Sequence, residues 1–126
     1  DVTAAYDPPF ADAFEPDNGT YAGRGVAIYK YTGSRGKSGA NDAAAELVGK
    51  VRKLFNDHGV VYQTSELGKV DQGGGGTIAY IMANYDMDVI DAGVAMLSMH
   101  APWEIVSKAD VYMTSRAYHE FFVNYR

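Results

Sequence analysis

Between residues 41 and 58 the apolar positions recur at intervals of three and four. Ala44, Leu47, Val48, Val51, Leu54 and Phe55 form one stripe, with Lys50, Arg52, Lys53 and Asp57 mostly off it. That spacing predicts an amphipathic helix over 41–58. Asn41 or Asp42 stands where an N-cap is needed, and Gly59 where a C′ glycine ends the helix. Upstream, Val26 to Tyr31 is a short run of β-formers and reads as a strand; a second strand is predicted over Val60–Thr64. Four glycines, 73–76, open a further helix at about Thr77–Tyr85. Met87–Leu97 holds one or two strands, with Val89, Ile90, Val94, Met96 and Leu97 as their apolar content. Ser107-Lys108-Ala109-Asp110 is a Ser-x-x-acid helix start, with Asp in place of the usual Glu. The closing helix is expected to reach about Tyr125 and to bury Val111, Tyr118, Phe121 and Phe122.

Polar and turn-forming stretches separate these elements. The first twenty residues are irregular, because Asp7-Pro8-Pro9 and Glu15-Pro16-Asp17-Asn18-Gly19 are turn chemistry. Thr32–Ala40 is rich in Gly and Ser and carries Arg35 and Lys37, so a basic loop is expected there. Strands alternating with helices at short spacing indicate an α/β layered fold. No internal repeat, heptad run or dividing linker interrupts the pattern.

Composition narrows the chemistry. At 126 residues, 47% of them apolar and 21% charged, the chain is globular in character and one domain by length. Its net charge of −5 argues against nucleic acid and against an anionic membrane surface as partners. The absence of cysteine excludes disulfides, thiolate nucleophiles and Cys-based metal sites, and fits a reducing, cytoplasmic location. Only three His are present, so any metal site must lean on carboxylates. The chain opens at Asp1 with no Met and no leader, and has no run of about 18 apolar residues.

Several groups invite a functional reading. Gly36-Lys37-Ser38 lies between strand and helix, where a phosphate-binding loop would lie. That motif also needs a glycine five places before Gly36, and Tyr31 stands there, so nucleotide binding is disfavoured. The glycine run could present bare N–H groups to an anion or a substrate carbonyl, or could be a tightly packed turn. His58 falls in the last turn of its helix, where a partly charged imidazole is favourable, and His119 on a helix surface. His100 differs, because it ends an apolar strand and is followed by Ala101-Pro102-Trp103-Glu104. A polar residue at such a strand end is where α/β sheets place ligands, so a metal or catalytic role stands beside that of a hydrogen-bonded structural histidine. Asp86, Asp88 and Asp91 read as turn residues, and Asp1 has no local signal.

Three blocks resemble the C-terminal part of the M18 metalloaminopeptidases, the aspartyl aminopeptidase and aminopeptidase I relatives. They are Gly73-Gly74-Gly75-Gly76-Thr77-Ile78-Ala79, then Met87-Asp88-Val89-Ile90-Asp91-Ala92-Gly93-Val94, then Leu97-Ser98-Met99-His100-Ala101-Pro102-Trp103-Glu104. Asp1-Val2-Thr3-Ala4-Ala5-Tyr6-Asp7-Pro8 and Lys30-Tyr31-Thr32-Gly33-Ser34-Arg35-Gly36-Lys37 match the family's preceding blocks in order. The likeness is to the bacterial branch and covers essentially the whole chain.

The resemblance implies an α/β/α layered zinc-peptidase-like catalytic domain with a mixed sheet, of which residues 1–126 are the C-terminal portion. It implies two divalent metal ions, commonly zinc, held by two His and three carboxylates, with a separate Glu as general base. Carried over by position, Asp1 and His100 are metal ligands serving different ions. Asp1 also helps receive the substrate's α-amino group, and Lys30 and Lys37 lie toward the substrate side chain. The bridging Asp, the first His and the catalytic Glu are expected upstream, so no catalytic residue lies in this segment and the segment alone is inactive. The implied partners are a peptide substrate, the N-terminal part of the same enzyme, and further copies in a large homo-oligomer, commonly a dodecamer. Two departures matter: Ala4 replaces a His of the aspartyl aminopeptidase branch, and Lys37 replaces a pocket Tyr. Both loosen the case for a strict preference for acidic first residues. The competing expectation is a non-catalytic subunit or interaction domain that keeps the fold without the chemistry.

Overall fold

The computed structural model describes residues 1–34, 38–69 and 76–126. Lys37 and Gly73, Gly74 and Gly75 therefore lie outside the described residues.

The core forms where the predicted helical stripe meets the predicted strand. Strand β2 (Val26–Tyr29) is buried along its whole length. Helix α1 (Ala45–Asp57) lays Leu47, Val51, Leu54 and Phe55 against it. Each large apolar side chain buried there contributes about 1.5–3 kcal/mol relative to exposure. Helix α1 ends as its sequence indicates, with Gly59 at φ +64. Its start differs from the expectation. Asn41 and Asp42 do not cap it; they belong to a strand, and Ala44 occupies the N-cap without a side-chain hydrogen bond.

That difference has one cause. The expected basic loop is a two-stranded ribbon, β3 (Tyr31–Ser34) against β4 (Ser38–Asp42), with Tyr31 opposite Asp42 and Thr32 opposite Asn41. Asn41 is held there by an Nδ2–H donated to the Val89 carbonyl at 3.1 Å. The predicted 26–31 strand accordingly divides at Lys30.

Two further strands flank β2. Strand β5 (Tyr62–Thr64) runs parallel to it, and β6 (Asp91–Gly93) antiparallel, with Tyr29 opposite Asp91. The chain continues from β6 through Val94 into β7 (Ala95–Leu97), which pairs in parallel with β1 (Thr3–Ala4) and antiparallel with β8 (Ile105–Val106). Among the described residues the strands form two three-stranded mixed sheets, β5-β2-β6 and β1-β7-β8, beside the β3-β4 ribbon, which with the helices is the expected α/β class. The second predicted helix is real but short, α2 (Ala79–Ala83).

Helix α3 (Lys108–Asn124) begins at the predicted Ser107, whose Oγ accepts the Asp110 N–H. Its buried face is not the expected one. Asp110 and Ala117 are buried, Phe121 is half-buried, and Val111, Tyr118 and Phe122 are exposed, Phe122 at 83%. Asp110 turns inward because its two carboxylate oxygens accept the N–H groups of Gly23 (2.6 Å) and Gly25 (2.8 Å). A carboxylate in the first helical turn is also favoured by the helix dipole. With Asp110 clamped, the small Ala117 faces the core cluster and Phe122 faces outward.

Candidate metal centre and substrate flank

Asp1 is placed by backbone pairing. Its N–H donates to the Ala92 carbonyl at 3.3 Å, and two residues on the Thr3 N–H donates to Val94 at 3.0 Å. The approach of Asp1 to β6 is so close that only glycine fits opposite it. A Cβ on Gly93 would lie 1.8 Å from the Asp1 carbonyl oxygen. The Asp1 side chain is exposed, and Oδ1 accepts the Val2 N–H at 2.8 Å. Among the described residues no hydrogen bond engages Oδ2, so a carboxylate oxygen is free to coordinate.

Two residues support this place: Asp91, expected in a turn and found in β6, and Tyr118, expected on the buried side of α3 and found exposed. Asp91 is buried and accepts the Thr77 hydroxyl at 2.9 Å, which ties the end of the glycine run to β6. Tyr118 donates its hydroxyl to the Ala92 carbonyl at 2.6 Å, the same carbonyl that receives the Asp1 N–H. Burial, and secondarily the charge of Asp91, push the Tyr118 phenol above its ordinary range. Beside Asp1 opens a cavity of about 290 Å³ with Val51, Phe55, Ile90 and Phe121 in its wall. The signal for Asp91 and Tyr118 is non-local pairing, which no spacing rule in the sequence carries.

His100 is placed by a turn. It lies in the connection from β7 to β8, where Ser98 (φ +57) and His100 (φ +68) both adopt the left-handed region, uncommon for residues with a Cβ. The Ala101 N–H donates to the Ser98 carbonyl at 3.0 Å, and the His100 N–H to Glu104 Oε1 at 2.8 Å. These bonds engage only the backbone of His100. Its imidazole is exposed, with no hydrogen bond among the described residues. The backbone of His100 is thus held while its imidazole stays available. By contrast, His58 Nδ1 meets Glu120 Oε2 at 2.9 Å, an interhelical structural role beyond the expected helix-end one, while His119 is exposed as expected.

Lys30 sits at the end of β2, next to Tyr29, which pairs with Asp91 of β6, and Asp1 bonds through its backbone nitrogen to Ala92 of the same strand. The Lys30 ammonium is engaged by Asp42 Oδ1. Glu66, half-buried, lies close enough for both charges to act on it. Burial and the charge of Asp42 raise its carboxyl above the usual range, and Lys30 pulls it down.

Asp1, Lys30 and His100 thus occupy three separate settings. Among the described residues no group of three His, Asp or Glu could hold a metal ion, and no helix is long and apolar enough to cross a membrane. The donors nevertheless fit zinc in kind, since a free carboxylate oxygen and an unengaged imidazole are both zinc ligands. They are too few to close a site.

Comparison with known proteins gives the chain its family setting. Residues 1–122 match the family model of the aminopeptidase I zinc metalloproteases, M18. The M18 family aminopeptidase 1 of Clostridium acetobutylicum is 57% identical over 124 residues, which cover 98% of this chain and 27% of that protein. Its namesake from Thermotoga maritima is 55% identical over 118 residues, 94% of this chain and 26% of that one. In three dimensions the crystal structure of aminopeptidase I from Clostridium acetobutylicum superposes with a TM-score of 0.92 over 98% of this chain and 27% of its own. The Thermotoga maritima M18 aminopeptidase structure gives 0.90 at 54% identity, over 95% of this chain and 27% of its own. The chain spans about a quarter of the length of the relatives it matches.

Proposed function

The chain belongs to the M18 family of aminopeptidase I zinc metalloproteases, and on that premise we propose that it is the C-terminal part of the catalytic domain of a di-metal aminopeptidase. The reaction is hydrolysis of the first peptide bond of a substrate with a free N-terminus. Asp1 and His100 hold one ion each, together with ligands supplied by the rest of the enzyme. When bound, the ions lower the pKa of a water and polarise the scissile carbonyl.

The chain's own residues do the positioning. Asp1 offers its free oxygen at the mouth of an apolar cavity and helps receive the substrate amine. His100 presents its imidazole from a turn fixed by Glu104. Lys30, with Lys37, flanks the first side chain of the peptide. The observation that carries this reading is the free coordinating atom on both carried-over ligands, each on a backbone held by hydrogen bonds. The outward apolar residues Val111, Phe122, Ile78 and Ile81 support a segment that packs against the remainder of a longer, cytoplasmic enzyme. The family setting extends that reading to a large homo-oligomer.

The test is zinc content and peptidase activity of the full-length enzyme. Asp1→Asn and His100→Gln are each expected to lower bound zinc and to cut kcat/KM on a Leu-terminated dipeptide by about a hundredfold or more, since even outer-shell changes cost 10–100-fold. Zinc content and activity unchanged in both variants would mean that Asp1 and His100 are not ligands, and a wild type with neither zinc nor activity would mean a non-catalytic subunit that has kept the fold.

A further inference from the structure

Lys30, proposed above to flank the first side chain of the substrate, carries a charge that is already answered. Its ammonium meets the Asp42 carboxylate, and the two side chains are 45% and 62% exposed. A pair so exposed adds only about 0–1 kcal/mol to stability, so stability gives little reason for the carboxylate to be there. The placement is nonetheless specified. Asp42 is the last residue of β4, in register with Tyr31, the residue after Lys30. The Lys30 carbonyl accepts the Ala43 N–H at 2.6 Å, which fixes the Lys30 and Asp42 backbones beside each other. Glu66 completes the group from the segment after β5, its own N–H donated to the Asn18 carbonyl at 2.8 Å. Among the described residues the Lys30 ammonium is therefore met by the Asp42 carboxylate. The half-buried Glu66 carboxyl is raised first by burial and next by the charge of Asp42, while Lys30 lowers it.

We propose that Asp42, supported by Glu66, sets the charge preference of the subsite for the first side chain: it cancels Lys30, excludes acidic N-terminal residues and admits neutral or basic ones. The proposal rests on Lys30 flanking that side chain, as argued above. An acidic side chain entering here meets a lysine already paired, and one or two like charges at close range. Discrimination of this kind comes from the repulsive element as much as from any attractive one. Asp42 is thus a specificity-determining residue, with no part in the chemical step.

The experiment uses the full-length, zinc-loaded enzyme and three dipeptides, Glu-Ala, Leu-Ala and Lys-Ala. Wild-type enzyme is expected to give its lowest kcat/KM on Glu-Ala. Asp42→Asn should raise the Glu-Ala to Leu-Ala ratio by about tenfold or more, the size of one removed like charge at a few Å, mainly through KM. Glu66→Gln should move the ratio the same way by less, and Lys30→Met added to Asp42→Asn should reverse the gain. High salt should shrink these differences, since exposed charges are screened. An unchanged ratio in Asp42→Asn and Glu66→Gln enzymes that still cleave Leu-Ala overturns the charge-cancelling role and leaves the aminopeptidase reading intact. A wild type that favours Glu-Ala has the same meaning. A wild type that cleaves none of the three overturns the aminopeptidase reading, and this proposal with it.

Discussion

The two candidate metal ligands are held in opposite ways. Asp1 is fixed by a sheet: its strand is hydrogen-bonded to 92–96, a glycine is required opposite it, and a helix tyrosine shares its carbonyl partner. His100 is fixed by a turn: two left-handed residues and one hydrogen bond from its own N–H to Glu104 define it. The sheet leaves no freedom, so an error there must be paid in fold stability. The turn stores local strain, of order 1–3 kcal/mol for each such backbone, and an error there is felt by the ligand before it is felt by the fold. Placement by packing and placement by a strained turn therefore differ in how mutations separate stability from metal affinity.

The strongest way to break the comparison is at Gly93. An added methyl would sit 1.8 Å from the Asp1 carbonyl oxygen and 2.5 Å from its carbon, both backbone atoms that cannot rotate away. Gly93→Ala is expected to push the Asp1–Val2 segment off β6, to cost about 3 kcal/mol or more, and to lower zinc content together with stability. Thermal unfolding and metal analysis of the full-length enzyme check it. Wild-type stability with zinc lost would show that Asp1 is not placed by the sheet.

At the turn the two quantities should part. Glu104→Ala removes the acceptor of the His100 N–H and is expected to weaken zinc binding roughly tenfold while moving the unfolding midpoint little. Glu104→Gln, which keeps an acceptor oxygen, should restore most of the affinity. Equal loss in both variants would mean that the Glu104 charge matters and the turn geometry does not.

This contrast also explains what could be read from the sequence. The α1 stripe, the Ser107 start of α3 and the Gly59 stop were legible because each depends on residues a few places apart. The capping role expected of Asn41 and Asp42 failed because cross-strand pairing with Thr32 and Tyr31 claims both residues, and pairing is not local. The buried face of α3 was misread because a charged residue, Asp110, takes the inner position once two glycine N–H groups meet it. A helical wheel ranks it as solvent-facing. Of the site, His100 had a signal of its own, a polar residue ending an apolar strand. Asp1 had none beyond the family likeness, because its free oxygen and its glycine partner are set by a strand some ninety residues away. Lys30, like Asp1, came only from the family likeness, and its partner Asp42 was not legible because a ribbon brings it there.

The smallest expected effect probes the helix that backs the sheet. Tyr118→Phe deletes the hydroxyl that donates to Ala92 and should cost about 1 kcal/mol near neutral pH. The phenol's pKa in the folded protein lies above the ordinary value, with burial first and Asp91 second as causes. An acid whose folded pKa is raised contributes stability that is complete below the unfolded value, near 10 for tyrosine, and is lost as pH rises through the folded value. The gap in unfolding midpoint between wild type and Tyr118→Phe should therefore hold steady to about pH 9 and narrow above about pH 10. Tyr29, buried in β2 with its phenol pushed up mainly by burial, adds the same alkaline loss to both proteins. It cancels in the comparison. A gap that widens with pH would reverse the sign of the Tyr118 shift, and would mean that the helix donates nothing to the carbonyl that holds Asp1.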